Sequence, residues 1–143
     1  MDTRTLKRFL AGGESATIEF KEAREALPRD LFETVCAFLN RDGGTILLGV
    51  SDDGTVVGVN PDGIDRLTTE IVNLSNNSQK LDPPFILAPS TLLCEDHHVL
   101  VLQVPASSEI HRCVGVVFDR GHEGDFQVRD PKRIAAMVNA KRG

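Results

Sequence analysis

Apolar positions switch between two periods along this chain, and the switches mark its elements. Leu6, Phe9 and Leu10 share one helical face behind Asp2 or Thr3 as an N-cap, and Gly12-Gly13 ends the run. Ala16 to Phe20 alternates loosely and predicts a short strand. Pro28 sits where a helix would begin, and Leu31, Phe32, Val35, Cys36, Phe38 and Leu39 keep helical spacing to about Asn40. Gly43-Gly44 then turns the chain into Thr45 to Val50, a continuous apolar run expected of a strand covered on both faces. Asp52-Asp53-Gly54 is a hairpin-turn signal, after which Thr55 to Val59 is expected to return antiparallel.

The second half continues the mixture. Ile64, Leu67, Ile71, Val72 and Leu74 fit a helix after Pro61, and residues 76–84 read as a loop. Phe85 to Leu93 and Val99 to Val104 predict two strands joined by the polar turn Glu95-Asp96-His97-His98. A loop follows from Pro105 to His111, then a strand over Val114 to Asp119 and a short one over Phe126 to Arg129. Asp130 and Pro131 predict the N-cap and first position of a last helix, with Ile134, Met137 and Val138 as its apolar face. The expected fold is α+β, a mixed β-sheet flanked by helices, in a single domain over residues 1–143.

Composition narrows the class. At 143 residues with 41% hydrophobic content, the chain can bury a core without disulfides or a structural metal. Its 16 basic and 21 acidic residues give a net charge of −5, which argues against binding nucleic acid by overall charge and leaves a local basic rim open. Cys36, Cys94 and Cys113 are an odd, widely spaced set, so a reducing cytoplasm is the simplest setting. No apolar run is long enough for a membrane span, and the N-terminal residues lack the apolar stretch of a signal peptide.

Candidate chemistry lies in the first third. Glu14 and Glu19 would point to opposite sides of a continuous strand, so they converge only if Glu14 lies on the turn before it. Glu19 and Lys21 share one strand face, and Asp52 ends the buried strand. Three carboxylates suit Mg²⁺ or Mn²⁺, and a metal there would polarise a phosphate oxygen while Lys21 orients water or phosphate. The same residues also read as a surface acid, an exposed charge pair and an ordinary turn.

Three blocks together carry a resemblance. They are Gly13-Glu14-Ser15 with Glu19-Phe20-Lys21, then Ala37-Phe38-Leu39-Asn40 with the run from Gly43 to Gly54, and Val56-Val57-Gly58-Val59. With Val116 to Gly121 and the closing helix from Pro131, the chain resembles the Schlafen AlbA-like domain over roughly residues 10–140. The resemblance implies a nucleic-acid-binding domain. In animal Schlafen proteins, two copies of a similar core clamp structured RNA, and some cleave transfer RNA. Bacterial members are described as transcriptional regulators. The active-site positions of those animal proteins look like Glu14, Glu19 and Asp52 here. Two segments depart from the pattern, Leu39-Asn40 for Ala-Asn and His122-Glu123-Gly124-Asp125 after Arg120-Gly121.

Two other chemistries fit poorly. Gly43-Gly44 lacks the Gly-Lys-Ser/Thr of a P-loop and precedes a strand, so ATP binding is not expected. Cys94-x-x-His97 resembles half a zinc site, but His111-x-Cys113 is too closely spaced to complete it. The leading expectation is therefore a nucleic-acid-binding domain acting as a metal-dependent nuclease on structured RNA. Glu14, Glu19 and Asp52 would hold Mg²⁺ or Mn²⁺, Lys21, Arg120 and Arg129 would contact RNA or DNA, and a homodimer would supply two lobes. The alternative is a non-catalytic DNA-binding or protein-interaction module.

Overall fold

A computed structural model describes residues 1–143. The chain runs through α1 (Thr3–Gly12), β1 (Ile18–Lys21), α2 (Leu31–Asn40), β2 (Gly44–Leu48), a 3₁₀ turn (Pro61–Gly63) and α3 (Ile64–Ser75). It continues through β3 (Leu81–Asp82), β4 (Ser90–Cys94), β5 (His97–Val104), β6 (Arg112–Cys113), β7 (Val116–Gly121), β8 (Gly124–Val128) and α4 (Pro131–Arg142). The strands form two sheets. One is mixed, in the order β1-β2-β5-β4, with β1 parallel to β2 and the other pairs antiparallel. The other is antiparallel, in the order β3-β6-β7-β8.

β2 is covered on both faces, as its unbroken apolar run predicts. Ile46 and Leu48 point into the main core with Leu100 and Leu102 of β5 and with Phe38 and Leu39 of α2. Leu47 points the other way and packs with Phe20, Val99, Val101 and Leu6 of α1. Period-two alternation thus feeds two separate clusters from one strand.

α2 lies between the sheets and is buried at nine of its ten positions, Glu33 excepted. A helix enclosed on all sides is apolar nearly all round. Thr34 and, at the last position, Asn40 are the buried polar residues of α2. The Asn40 side-chain amide donates to the carbonyls of His111 at 2.9 Å and Phe118 at 2.8 Å, and its oxygen accepts from the His111 amide at 2.7 Å. The side chain therefore ties the end of α2 to the second sheet while leaving none of its polar atoms unpaired. On the far face of that sheet, Ile134 and Met137 of α4 pack on Val117 and Val128.

The helix-to-strand turn after α2 depends on both glycines. Gly43 has φ +75°, and a Cβ there would lie 2.6 Å from the Val104 carbonyl oxygen. A Cβ on Gly44 would meet the Phe38 ring and the Thr17 carbonyl oxygen, each at 2.7 Å.

Several expected segments are shorter or irregular. Thr55 to Val59 forms no strand; it meets the sheet through the isolated bridges Val50–Val56 and Val59–His98 and through the Val57 and Gly58 amides, which donate to the Gly49 carbonyl. Gly49 and Gly58 adopt positive φ there, which breaks a regular ladder. Within Phe85 to Leu93, pairing begins only at Ser90. The loop over residues 76–84 contains the two-residue strand β3. No helix is long and apolar enough to cross a membrane.

Candidate functional site

Glu14 lies on the turn that enters β1, closed by the antiparallel bridge between Ser15 and Ile18. β1 is an edge strand, with β2 on one side only. Its Phe20 amide faces away from β2, and the Glu14 carboxylate accepts from it at 2.9 Å. The side chain substitutes for a missing neighbouring strand and blunts the open edge.

Glu19 is half-buried beside it. Burial raises its pKa above the ordinary carboxyl value, the neighbouring Glu14 carboxyl pushes in the same direction, and Arg120 and Lys21 oppose the rise. Glu14 and Glu19 therefore meet on one side of β1, as the turn requires.

The partner that holds them is Arg120, on β7 of the second sheet. Its side chain is 2% exposed and its guanidinium lies 4.8 Å over the Phe38 ring. Nη1 donates to Glu19 at 2.9 Å and to Asp125 at 2.8 Å. Nη2 and Nε donate to the carbonyls of Ser15 at 2.7 Å and Ala16 at 3.2 Å. Asp125 also accepts from the Thr34 hydroxyl of α2. Arg120 thus fastens the Glu14–Glu19 turn to the second sheet. Its donors are turned inward and engaged by the protein, where the sequence suggested a contact with nucleic acid.

Lys21 and Asp52 occupy different surroundings. Lys21 is buried and pairs at 2.9 Å with Asp30, at the start of α2. Asp52 is exposed on the turn after β2. Its neighbour Asp53 braces that turn, accepting from the Ser51 hydroxyl at 2.6 Å and the Thr55 amide at 2.9 Å. The Ser51 hydrogen bond, with help from Thr55, lowers the Asp53 pKa to about 2.

No group of three His, Cys, Asp or Glu side chains is arranged to hold a metal ion. For Mg²⁺ or Mn²⁺, the fit is partial: two hard carboxylates stand together, one bonded to a backbone amide and the other to a guanidinium, while Asp52 lies outside the pair. Cys94 and His97 face each other across the β4–β5 hairpin. His111 is tied by its ring nitrogens to the Pro83 carbonyl and the Ser107 hydroxyl, each at 2.7 Å. Arg129 is exposed, and its guanidinium donates to the Gln127 side-chain oxygen at 2.9 and 2.7 Å.

Sequence spacing did not reveal the neighbouring charge site. Asp119 and Arg120 are consecutive on β7, so they point to opposite faces. Asp119 is fully buried, bonded by Arg41 from the end of α2, with Arg133 of α4 at 3.9 Å. Burial opposes its ionisation, but the hydrogen bonds from Arg41 and the Arg120 amide prevail and hold its pKa below the ordinary value. Strand alternation around Phe118 was the only available signal, and it gave no partner.

Solved structures share this arrangement of elements. The DIP2311 protein from Corynebacterium diphtheriae superposes with a TM-score of 0.68 at 19% identity, covering 98% of this chain and 32% of that one. The present chain thus spans about a third of that protein, and the likeness shows the fold. The N-terminal domain of a RecG-related protein from Nitrosomonas europaea, named with the ATP-dependent DNA helicases, superposes with a TM-score of 0.56. It is 30% identical, covering 73% of this chain and 72% of that domain. The sequence also matches the family described as Schlafen, AlbA_2 over residues 14–138, which spans the acid pair, both sheets and most of α4. The chain belongs to the Schlafen AlbA_2 family.

Proposed function

We propose that this domain is a nucleic-acid-binding module that works by binding rather than by cleavage. Family membership supports nucleic-acid binding. The observation that carries the non-catalytic reading is the engagement of the acid pair. Glu19 is bonded to the buried Arg120 and Glu14 to the Phe20 amide, so both serve to hold the edge of β1. The related Nitrosomonas domain, whose parent protein is named with DNA helicases, favours a DNA-handling context. The net charge of −5 requires any phosphate contact to be local. Titration of labelled DNA and RNA in a metal chelator tests the reading. Binding that weakens linearly with the logarithm of salt concentration supports it, and no binding at low salt refutes it.

A second reading, metal-dependent cleavage of structured RNA, is favoured by one observation: Glu14 and Glu19 do meet. It requires Arg120 to yield Glu19 to Mg²⁺ or Mn²⁺ and Asp52 to join the pair. Cleavage in Mn²⁺ that vanishes in both Glu19→Gln and Asp52→Asn would establish it. Homodimerisation belongs to both readings as a proposal, since an isologous pair would double the contact surface. Light scattering after gel filtration measures it.

A further inference from the structure

Positive charge collects at the two ends of this chain, on α1 (Arg4, Lys7 and Arg8) and around α4. Residues 129–143 carry five basic side chains and one acidic, while the preceding 128 residues carry eleven and twenty. The single acid, Asp130, is spent as the N-cap of α4, accepting from the Lys132 amide at 3.0 Å. No acidic residue lies within α4 itself.

Packing fixes which side of α4 faces out. Ile134 and Met137 seat the helix on Val117 and Val128. Arg133 and Lys141 are engaged by the protein: the Arg133 guanidinium, still 54% exposed, lies 5.0 Å over the Phe126 ring, and Lys141 donates to the Leu39 carbonyl at 3.1 Å. Lys132, Ala135, Ala136, Asn139 and Arg142 are exposed, and their spacing places them on one outward stripe. Neither Lys132 nor Arg142 forms an ion pair.

We infer that α4 is a groove-reading helix whose outward stripe enters the major groove of B-form DNA. This rests on the nucleic-acid-binding reading above and specifies where and how that binding occurs. Charge complementarity supplies the first argument, since the unpaired cations lie on an otherwise acid-free helix. Dimensions supply the second. An α-helix with its side chains is about 10–12 Å across, and the major groove is about 12 Å wide. Lys132 and Arg142 are about 15 Å apart along the axis, far enough to reach phosphates on either side of the groove. Between them, Ala135 and Ala136 allow close approach, and the Asn139 amide has the donor and acceptor that match an adenine edge.

The test is a fluorescence titration of a short, mixed-sequence DNA duplex with the full chain across a range of salt. Lys132→Gln/Arg142→Gln should reduce the magnitude of the salt slope by about 2, roughly one per cation removed. Ala136→Glu, at an exposed helical site that tolerates it, should weaken binding by more than about tenfold through repulsion of phosphate. Lys7→Gln/Arg8→Gln on α1 should leave both quantities unchanged. An A-form RNA duplex, whose major groove is too deep and narrow for a helix, should bind more weakly. If the wild type binds DNA but both α4 variants bind equally well, or the RNA duplex binds more tightly, α4 is not the reader and the broader binding reading stands. If the wild type binds neither duplex nor single strands, the broader reading falls and this inference with it.

Discussion

Arg120 on β7 donates to Glu19 on β1 at 2.9 Å, joining the edge strand of one sheet to a central strand of the other. The same guanidinium also binds Asp125 and the carbonyls that precede Glu19. Removing it strands two carboxylates and several carbonyls in a closed space. Arg120→Leu should cost about 3–5 kcal/mol, the range for breaking a buried charge network by deleting one partner. Arg120→Lys, with one charged nitrogen and no planar fork, should recover only part of that. Urea unfolding of the three proteins measures both effects.

Glu19 should also give the fold a pH signature. Its folded pKa is raised above the ordinary value of 4.5 by burial and by Glu14. Its contribution to stability is therefore fully present below about pH 4.5 and is lost as pH rises through the folded value. Glu19→Gln removes that titration. Relative to wild type, the variant should gain stability as the pH rises from 4.5 toward neutrality, seen as diverging urea midpoints.

Asp119 should act with the opposite sign. Its folded pKa lies below 3.8 because the Arg41 and backbone hydrogen bonds outweigh burial. Stability from this group is present above about pH 3.8 and is lost as pH falls through the folded value. Arg41→Gln should weaken that stabilisation and shift acid unfolding to higher pH, followed by circular dichroism.

Asn40 offers a test of the join between α2 and the second sheet. Asn40→Leu removes the side-chain partner of the His111 amide and of the His111 and Phe118 carbonyls, and of these the His111 carbonyl keeps the Cys36 thiol at 3.2 Å. Each buried group left unpaired costs about 1–3 kcal/mol, so the variant should be among the most destabilised single substitutions in the domain. Asn40→Asp should also be destabilised, because it keeps the acceptor for the His111 amide and loses both donors.

The sequence pattern carried the local elements well and the long-range joins poorly. β2 was legible because covering both faces forces Ile46, Leu47 and Leu48 all to be apolar. The Gly43-Gly44 turn was legible because no side chain fits beside Val104 and Phe38. The approach of Glu14 to Glu19 followed from strand alternation combined with a turn. Thr55 to Val59 looked like a strand by composition, but positive φ at Gly49 and Gly58 breaks the ladder, a property of backbone geometry that alternation does not encode. The partners of Arg120 and Asp119 come from segments up to 105 residues away. A local pattern marks such residues as charged without saying what neutralises them. Thus Arg120 read as a surface cation, although it is a buried anchor.

On the reading proposed above, the domain binds nucleic acid without needing metal at its acid pair. The most direct measurement is a binding titration with labelled DNA in a metal chelator, comparing wild type with Glu14→Gln/Glu19→Gln over a range of salt. Wild type and variant should bind with the same salt slope. Binding that appears only with Mn²⁺ and disappears in the variant would contradict the account, and would place the ligand at the carboxylates instead.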